Sequence, residues 1–164
     1  MADRRIIAYG SAAAVFALDR LTKHLVETRI GMEDTIKVIP GFFDIVRSQN
    51  RGVAFGIFND SAFQWRTALL VAAALIAVVV VSWILRRPDG LSRRAFWGLA
   101  LVLGGAAGNV YDRVVSGQVT DFLLLYAGDF QWPAFNIADS AIVVGSALLL
   151  LDLVRPKRQA ANVS

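Results

Sequence analysis

Nineteen consecutive residues, Thr67 to Leu85, carry no charge. As a helix rising about 1.5 Å per residue, such a run crosses a hydrocarbon core of roughly 30 Å. Three weaker segments accompany it. Ile6 to Leu25 is apolar until Asp19, Ala95 to Tyr111 is apolar and glycine-rich, and Ala134 to Leu151 is interrupted by Asn136 and Asp139. Singly, each fits a buried core helix. Together, in 164 residues of which 56% are hydrophobic and 18% charged, they leave too little polar sequence to cover a soluble core. The expectation is one integral membrane domain, residues 1–164, of the all-α class. Its four transmembrane helices lie at about 6–25, 67–85, 95–113 and 134–152.

The net charge of +4 does not point to nucleic acid, because of where the cations sit. Arg4 and Arg5 precede the first span, Arg86, Arg87, Arg93 and Arg94 fill the loop between spans two and three, and Arg155, Lys157 and Arg158 follow span four. Short loops rich in Lys and Arg stay cytoplasmic, and all three clusters fall on one side of a four-span chain. Both termini are therefore expected inside. Arg4-Arg5 followed by an apolar run imitates a secretory signal peptide, but cleavage would discard Asp19, Lys23 and His24, so the run reads as a retained span.

Outside, Thr35–Ile39 and Phe43–Arg47 alternate loosely between apolar and polar, as half-buried strands do. Pro40-Gly41 turns the chain between them, and Asn50-Arg51-Gly52 turns it again before Val53–Phe58. A small β-rich segment is thus expected at about 27–65, between helices 1 and 2. A second outside stretch, Val114 to Pro133, reads as a short loop carrying Asp121, Asp129 and Trp132.

This topology gathers polar residues at one depth. Asp19, Arg20, Lys23 and His24 end span one, Asn109, Asp112 and Arg113 end span three, and Asn136 and Asp139 begin span four. Charges in a membrane are costly unless paired or facing a cavity, which makes them functional candidates. Asn109 and Arg113 share a helical face, as do Asp19 and Lys23, and Asn136 and Asp139. The glycines of Gly104-Gly105-Ala106-Ala107-Gly108 first of all let helices approach closely.

Elimination narrows the chemistry. With no cysteine there is no thiolate nucleophile or thiolate metal site, and a single histidine, His24, excludes the two-histidine zinc helix. Carboxylates remain. Two close aspartates do not both ionise readily, so one can hold a proton while the other takes one from water. Asp121 and Asp139 are the best pair. A structural alternative stands beside it, with Asp139 paired to Arg113 and Asp121 a solvated loop residue. A small proton-coupled transporter would also bury Asp and Arg, though it would usually show repeated halves and polar groups at mid-membrane.

Five ordered motifs carry a resemblance. Asp19-Arg20-Leu21-Thr22-Lys23, Asn50-Arg51-Gly52-Val53-Ala54-Phe55-Gly56, the stretch Gly104 to Arg113, Val119-Thr120-Asp121-Phe122, and Phe135-Asn136-Ile137-Ala138-Asp139-Ser140 resemble those of lipoprotein signal peptidase, signal peptidase II. The resemblance implies an aspartic endopeptidase of the cell inner membrane, its active site near the periplasmic face. It removes signal peptides from bacterial prolipoproteins, cutting before a diacylglyceryl-modified cysteine in contact with membrane lipids, and binds globomycin-type inhibitors. It further implies catalytic Asp121 and Asp139, a site lined by Asn50, Asn109, Arg113 and Asn136, and support from Asp19, Lys23 and Asp112. No metal or organic cofactor is implied.

Overall fold

The computed structural model describes residues 3–50 and 60–154. The expected turn beyond Asn50, the strand Val53–Phe58 and the basic cluster from Arg155 lie outside the described residues. Helix α1 (Arg4–Arg29) starts where the Asp3 side chain accepts from the Arg5 amide. Helix α2 (Asp60–Leu85) contains the charge-free run. Helix α3 (Arg93–Ser116) is capped by Ser92, whose hydroxyl accepts from Ala95, and stops on Gly117 at φ 70°, a left-handed turn that glycine adopts freely. Helix α4 (Ile137–Leu153) opens with a capping box between Asn136 and Asp139. All four expected helices are present. Helix α4 starts at Ile137 rather than Ala134, because the preceding residues run extended along the sheet.

Helix α3 is the hub and packs against α1, α2 and α4. Phe96, Leu99 and Leu103 pack with Ala8, Ala12, Val81 and Leu85, while Gly98, Gly104, Gly105 and Gly108 make the closest approaches to α1 and α4. A Cβ added at Gly98 would lie 2.8 Å from the Gly145 carbonyl oxygen, and one at Gly145 would lie 2.6 Å from that of Gly98. These backbones touch, and only glycine permits it. On the outward faces, Leu21, Val79, Trp83, Val143 and Leu150 are all more than half exposed. Buried Asp19, Lys23, Asn109 and Asp112 beside exposed Leu, Val and Trp depart from the pattern of a soluble bundle. By length and composition only α2, at Ala68–Leu85 with mean hydropathy 2.9, is apolar enough by itself to cross a membrane among the described residues.

The sheet corrects the sequence reading. Strands β1 (Thr35–Ile39), β2 (Phe43–Asn50), β3 (Val119–Ala127) and β4 (Phe130–Gln131) form one antiparallel sheet in chain order. Half of its strands come from the stretch between α3 and α4, so β structure is not confined to 27–65. Asp121 lies on β3, opposite Ser48, rather than on a loop. Strand β3 hides from pattern reading because its first four residues are buried without alternation. Its pairing with β2 slips between Ile45 and Ser48, an irregularity of the kind that re-aims side chains beside a site. On the far side, Phe135 exchanges backbone hydrogen bonds with Leu123 at 2.8 and 3.0 Å. That pairing delivers Asn136 to the flank of Asp121.

Candidate active site

Asp121 is 2% exposed, and its carboxylate is held by two amides. Asn50 Nδ2 donates to Oδ2 at 2.9 Å, and Asn136 Nδ2 donates to Oδ1 at 2.7 Å. Asp139 sits in the first turn of α4. Its Oδ1 accepts from Asn109 Nδ2 at 2.7 Å and its Oδ2 from the Asn136 backbone N–H at 3.3 Å. Asn136, fully buried, therefore donates to both carboxylates, by its side chain to one and its backbone to the other. The cap that starts α4 and the bridge joining the aspartates are the same residue.

Beneath this pair lies a cluster of charges. Lys23 and Asp19, both fully buried, pair at 2.7 Å across one helical turn of α1. Lys23 Nζ also lies 2.6 Å from Asp112 Oδ2 and donates to Asn109 Oδ1 at 3.2 Å. Asp112 pairs in turn with Arg20, whose guanidinium covers the Tyr111 ring. Asp19 Oδ1 accepts the Ala138 N–H at 2.9 Å, tying α1 to the start of α4. The two carboxylates and two cations cancel, which makes their burial tolerable.

Electrostatics set Asp121 apart. Burial pushes its carboxyl up to about 6, and the neighbouring Asp139 charge pushes the same way. The Asn50 and Asn136 hydrogen bonds and the Lys23 cation oppose the rise without cancelling it. Asp139 is more open, on the wall of a cavity of about 530 Å³ whose other walls include Leu125, Trp132, Phe135 and Val143. One aspartate is thus sealed and inclined to hold a proton, while the other faces a largely apolar chamber. That is the inventory of acid and base that hydrolysis of a peptide bond requires.

A model of the family described as signal peptidase (SPase) II matches residues 11–155. The chain belongs to the signal peptidase II family. Relatives named lipoprotein signal peptidase include one from Solibacter usitatus, 63% identical over 164 residues with both chains fully covered. Another, from Syntrophotalea carbinolica, is 43% identical over 142 residues, covering 85% of this chain and 86% of that one. A solved structure described as a bacterial membrane enzyme aligns with TM-score 0.80 at 25% identity, covering 96% of this chain and 93% of that chain. Membership makes the chain a protease of the aspartic type, working in lipoprotein processing at a membrane. Four helices with a small antiparallel sheet are the architecture of this family member, and the transporter reading has no support.

The structure brings Asp121, Asp139, Asn50, Asn109, Asn136, Asp19, Lys23 and Asp112 into one connected network. Arg113 stands apart. Its Nη1 donates to the Asn109 carbonyl one turn back at 3.2 Å, and among the described residues it makes no ion pair with Asp139. His24 is exposed and outside the network. Sequence reasoning placed Arg20 at the right depth without giving it a role. Its spacing of one residue from Asp19 puts it on a different helical face, toward Asp112. The cavity wall was equally out of reach, since Leu125 and Val143 become neighbours only through the sheet.

Proposed function

We propose that Asp121 and Asp139 are the catalytic pair of an inner-membrane signal peptidase II that cuts bacterial prolipoproteins before the diacylglyceryl-cysteine. The observation that carries this reading is Asn136, one buried residue donating to both carboxylates. Asp139, on the cavity wall, takes a proton from water as the oxygen attacks the scissile carbonyl. Asp121 gives its proton to the carbonyl oxygen. Collapse of the tetrahedral intermediate returns that proton to Asp121, and the leaving amine takes the one held by Asp139. No step needs a metal. Asn50, Asn109 and Asn136 hold the carboxylates and offer contacts to substrate backbone, while Arg113, whose fork keeps donors beyond the one given to the Asn109 carbonyl, binds a substrate carbonyl. Asp19, Lys23 and Asp112 support them from below.

In this reading all four helices span the membrane, with both termini and the Arg86–Arg94 loop cytoplasmic and the sheet at the periplasmic face. The exposed apolar faces of α1, α3 and α4 support this, since lipid is the solvent that suits them. The apolar cavity beside Asp139 suits the lipid-modified substrate, and the same site would take globomycin-type inhibitors. Purified enzyme is expected to cleave a lipidated prolipoprotein without added metal. Asp121→Asn and Asp139→Asn should each remove most of that activity, and the double variant little more, because residues sharing a step are non-additive. Near-normal turnover by Asp121→Asn overturns the assignment.

A further inference from the structure

We propose that Lys23 is a positioning residue for the aspartate pair, setting which way the Asn109 amide faces and, through it, where Asp139 lies. The inference rests on the catalytic roles proposed above. Lys23 Nζ donates to Asp19 Oδ2 at 2.7 Å, forms an ion pair with Asp112 Oδ2 at 2.6 Å, and donates to Asn109 Oδ1 at 3.2 Å. The first two balance its charge. The third has no such purpose, since an amide is neutral.

Its effect is on direction. An amide carries its acceptor on one side and its donors on the other. In the observed orientation the Asn109 oxygen meets Lys23 while its N–H group meets the Asp139 carboxylate at 2.7 Å. Turned over, Asn109 would point its donors at an ammonium and its oxygen at a carboxylate, exchanging two attractive contacts for two repulsive ones. The same oxygen accepts from Asn136 Nδ2 at 3.4 Å, and that nitrogen also donates to Asp121. One buried cation on α1 therefore orders two amides on two other elements, and through them both carboxylates. The ammonium touches neither aspartate of the pair among its hydrogen bonds and ion pairs, so beyond its through-space pull on the Asp121 charge it reaches the pair through Asn109.

The test is a cycle of variants assayed on the lipidated substrate. Lys23→Met alone would leave Asp19 and Asp112 without their shared cation, so it is combined with Asp19→Asn, which removes one positive and one negative charge together. The amide oxygen that Asp19→Asn introduces can still accept the Ala138 N–H. The paired change should lower kcat by about ten- to a hundredfold, the scale of a misplaced catalytic group, with KM within about threefold. In an Asn109→Ala background the same change should cost less than about threefold, since its route to Asp139 is already cut. Equal losses in both backgrounds, or a loss confined to KM, would overturn the inference. If the pair does not accumulate as folded enzyme, Lys23→Arg, which keeps the charge and displaces the donors, runs through the same cycle with the same criteria. Should wild type cleave and Asp121→Asn fail while the cycle stays additive, only the role of Lys23 is lost. Should wild type leave the substrate intact, the peptidase reading and this inference fall together.

Discussion

Replacing Gly105 by alanine tests whether the spacing of α3 and α4 sets the active-site geometry. An added Cβ would press on the carbonyl oxygen of Ala138 and lie 2.9 Å from Ile142 Cγ1. Carbon atoms pack comfortably at about 3.5 Å or more and the backbone oxygen is the nearer contact, so the helices must part by roughly 0.6 Å or more. The main obstacle is backbone, which no rotamer change relieves. Asn109 stands one turn beyond Gly105, and its 2.7 Å bond to Asp139 crosses the same gap. Stretched by that amount it reaches about 3.3 Å, beyond the usual range for such a bond.

Two stability terms compete. Alanine gains about 1 kcal/mol over glycine in helix propensity, and overpacking costs about 1–3 kcal/mol. The net loss is small. Catalysis has no such offset, and displacement approaching 1 Å costs up to about a hundredfold in rate. Gly105→Ala is therefore expected to melt within a few degrees of wild type while kcat on the lipidated substrate falls by more than tenfold. Gly10→Ala is the control: its Cβ would meet nothing within 4 Å, so both readouts should stay near wild type. Wild-type turnover by Gly105→Ala would refute the claim that helix spacing holds Asn109 on Asp139.

Asn50→Ala removes a hydrogen bond that lowers the Asp121 carboxyl, which should therefore rise above about 6 and keep its proton to higher pH. The alkaline limb of the kcat/KM profile should move up in pH, and a downward move would mean Asp121 is not the acid. Arg113→Lys keeps the charge and loses the fork, and should lower kcat/KM by about tenfold with the pH profile in place. A displaced profile would mean that Arg113 tunes the pair instead. Reporter fusions at Asp89 should read cytoplasmic and at Ser61 periplasmic, and an external Asp89 would undo the orientation argued from the basic loops.

What the sequence made legible follows the range of each interaction. Helix α2 was readable because hydrophobicity is local, and β1 and β2 because their β-branched residues flank the Pro40-Gly41 turn, although β1 is exposed at all five positions rather than half-buried. The pair Asp19–Lys23 was readable because helical spacing is fixed, whereas Asn136 and Asp139 meet as a capping box, with Asn136 extended before α4 and not on a helical face. Strand β3 was not readable. Its partners are β2, with Asn50 and Asp121 71 residues apart, and Phe135, and neither leaves a periodic mark. The same long range hid the join between Lys23 and Asn109, 86 residues apart. Depth could be inferred from topology, but not which side chains meet at that depth.

The way charge is distributed explains how the proposed site would hold two aspartates and still do chemistry. A carboxylate touching a guanidinium or ammonium is held ionised, typically by one to three pH units, and gives up its use as an acid. Among the described residues, the cations at this depth that could do so are otherwise engaged: Lys23 with Asp19 and Asp112, Arg20 with Asp112, and Arg113 with a backbone carbonyl. The donors that reach Asp121 and Asp139 in the hydrogen-bond network are amides. Amides orient a carboxyl group and offset only part of the rise that burial imposes, so the proton stays exchangeable. The buried ion pairs thus occupy the cations, the asparagines transmit their geometry, and the pair is left with a proton it can exchange.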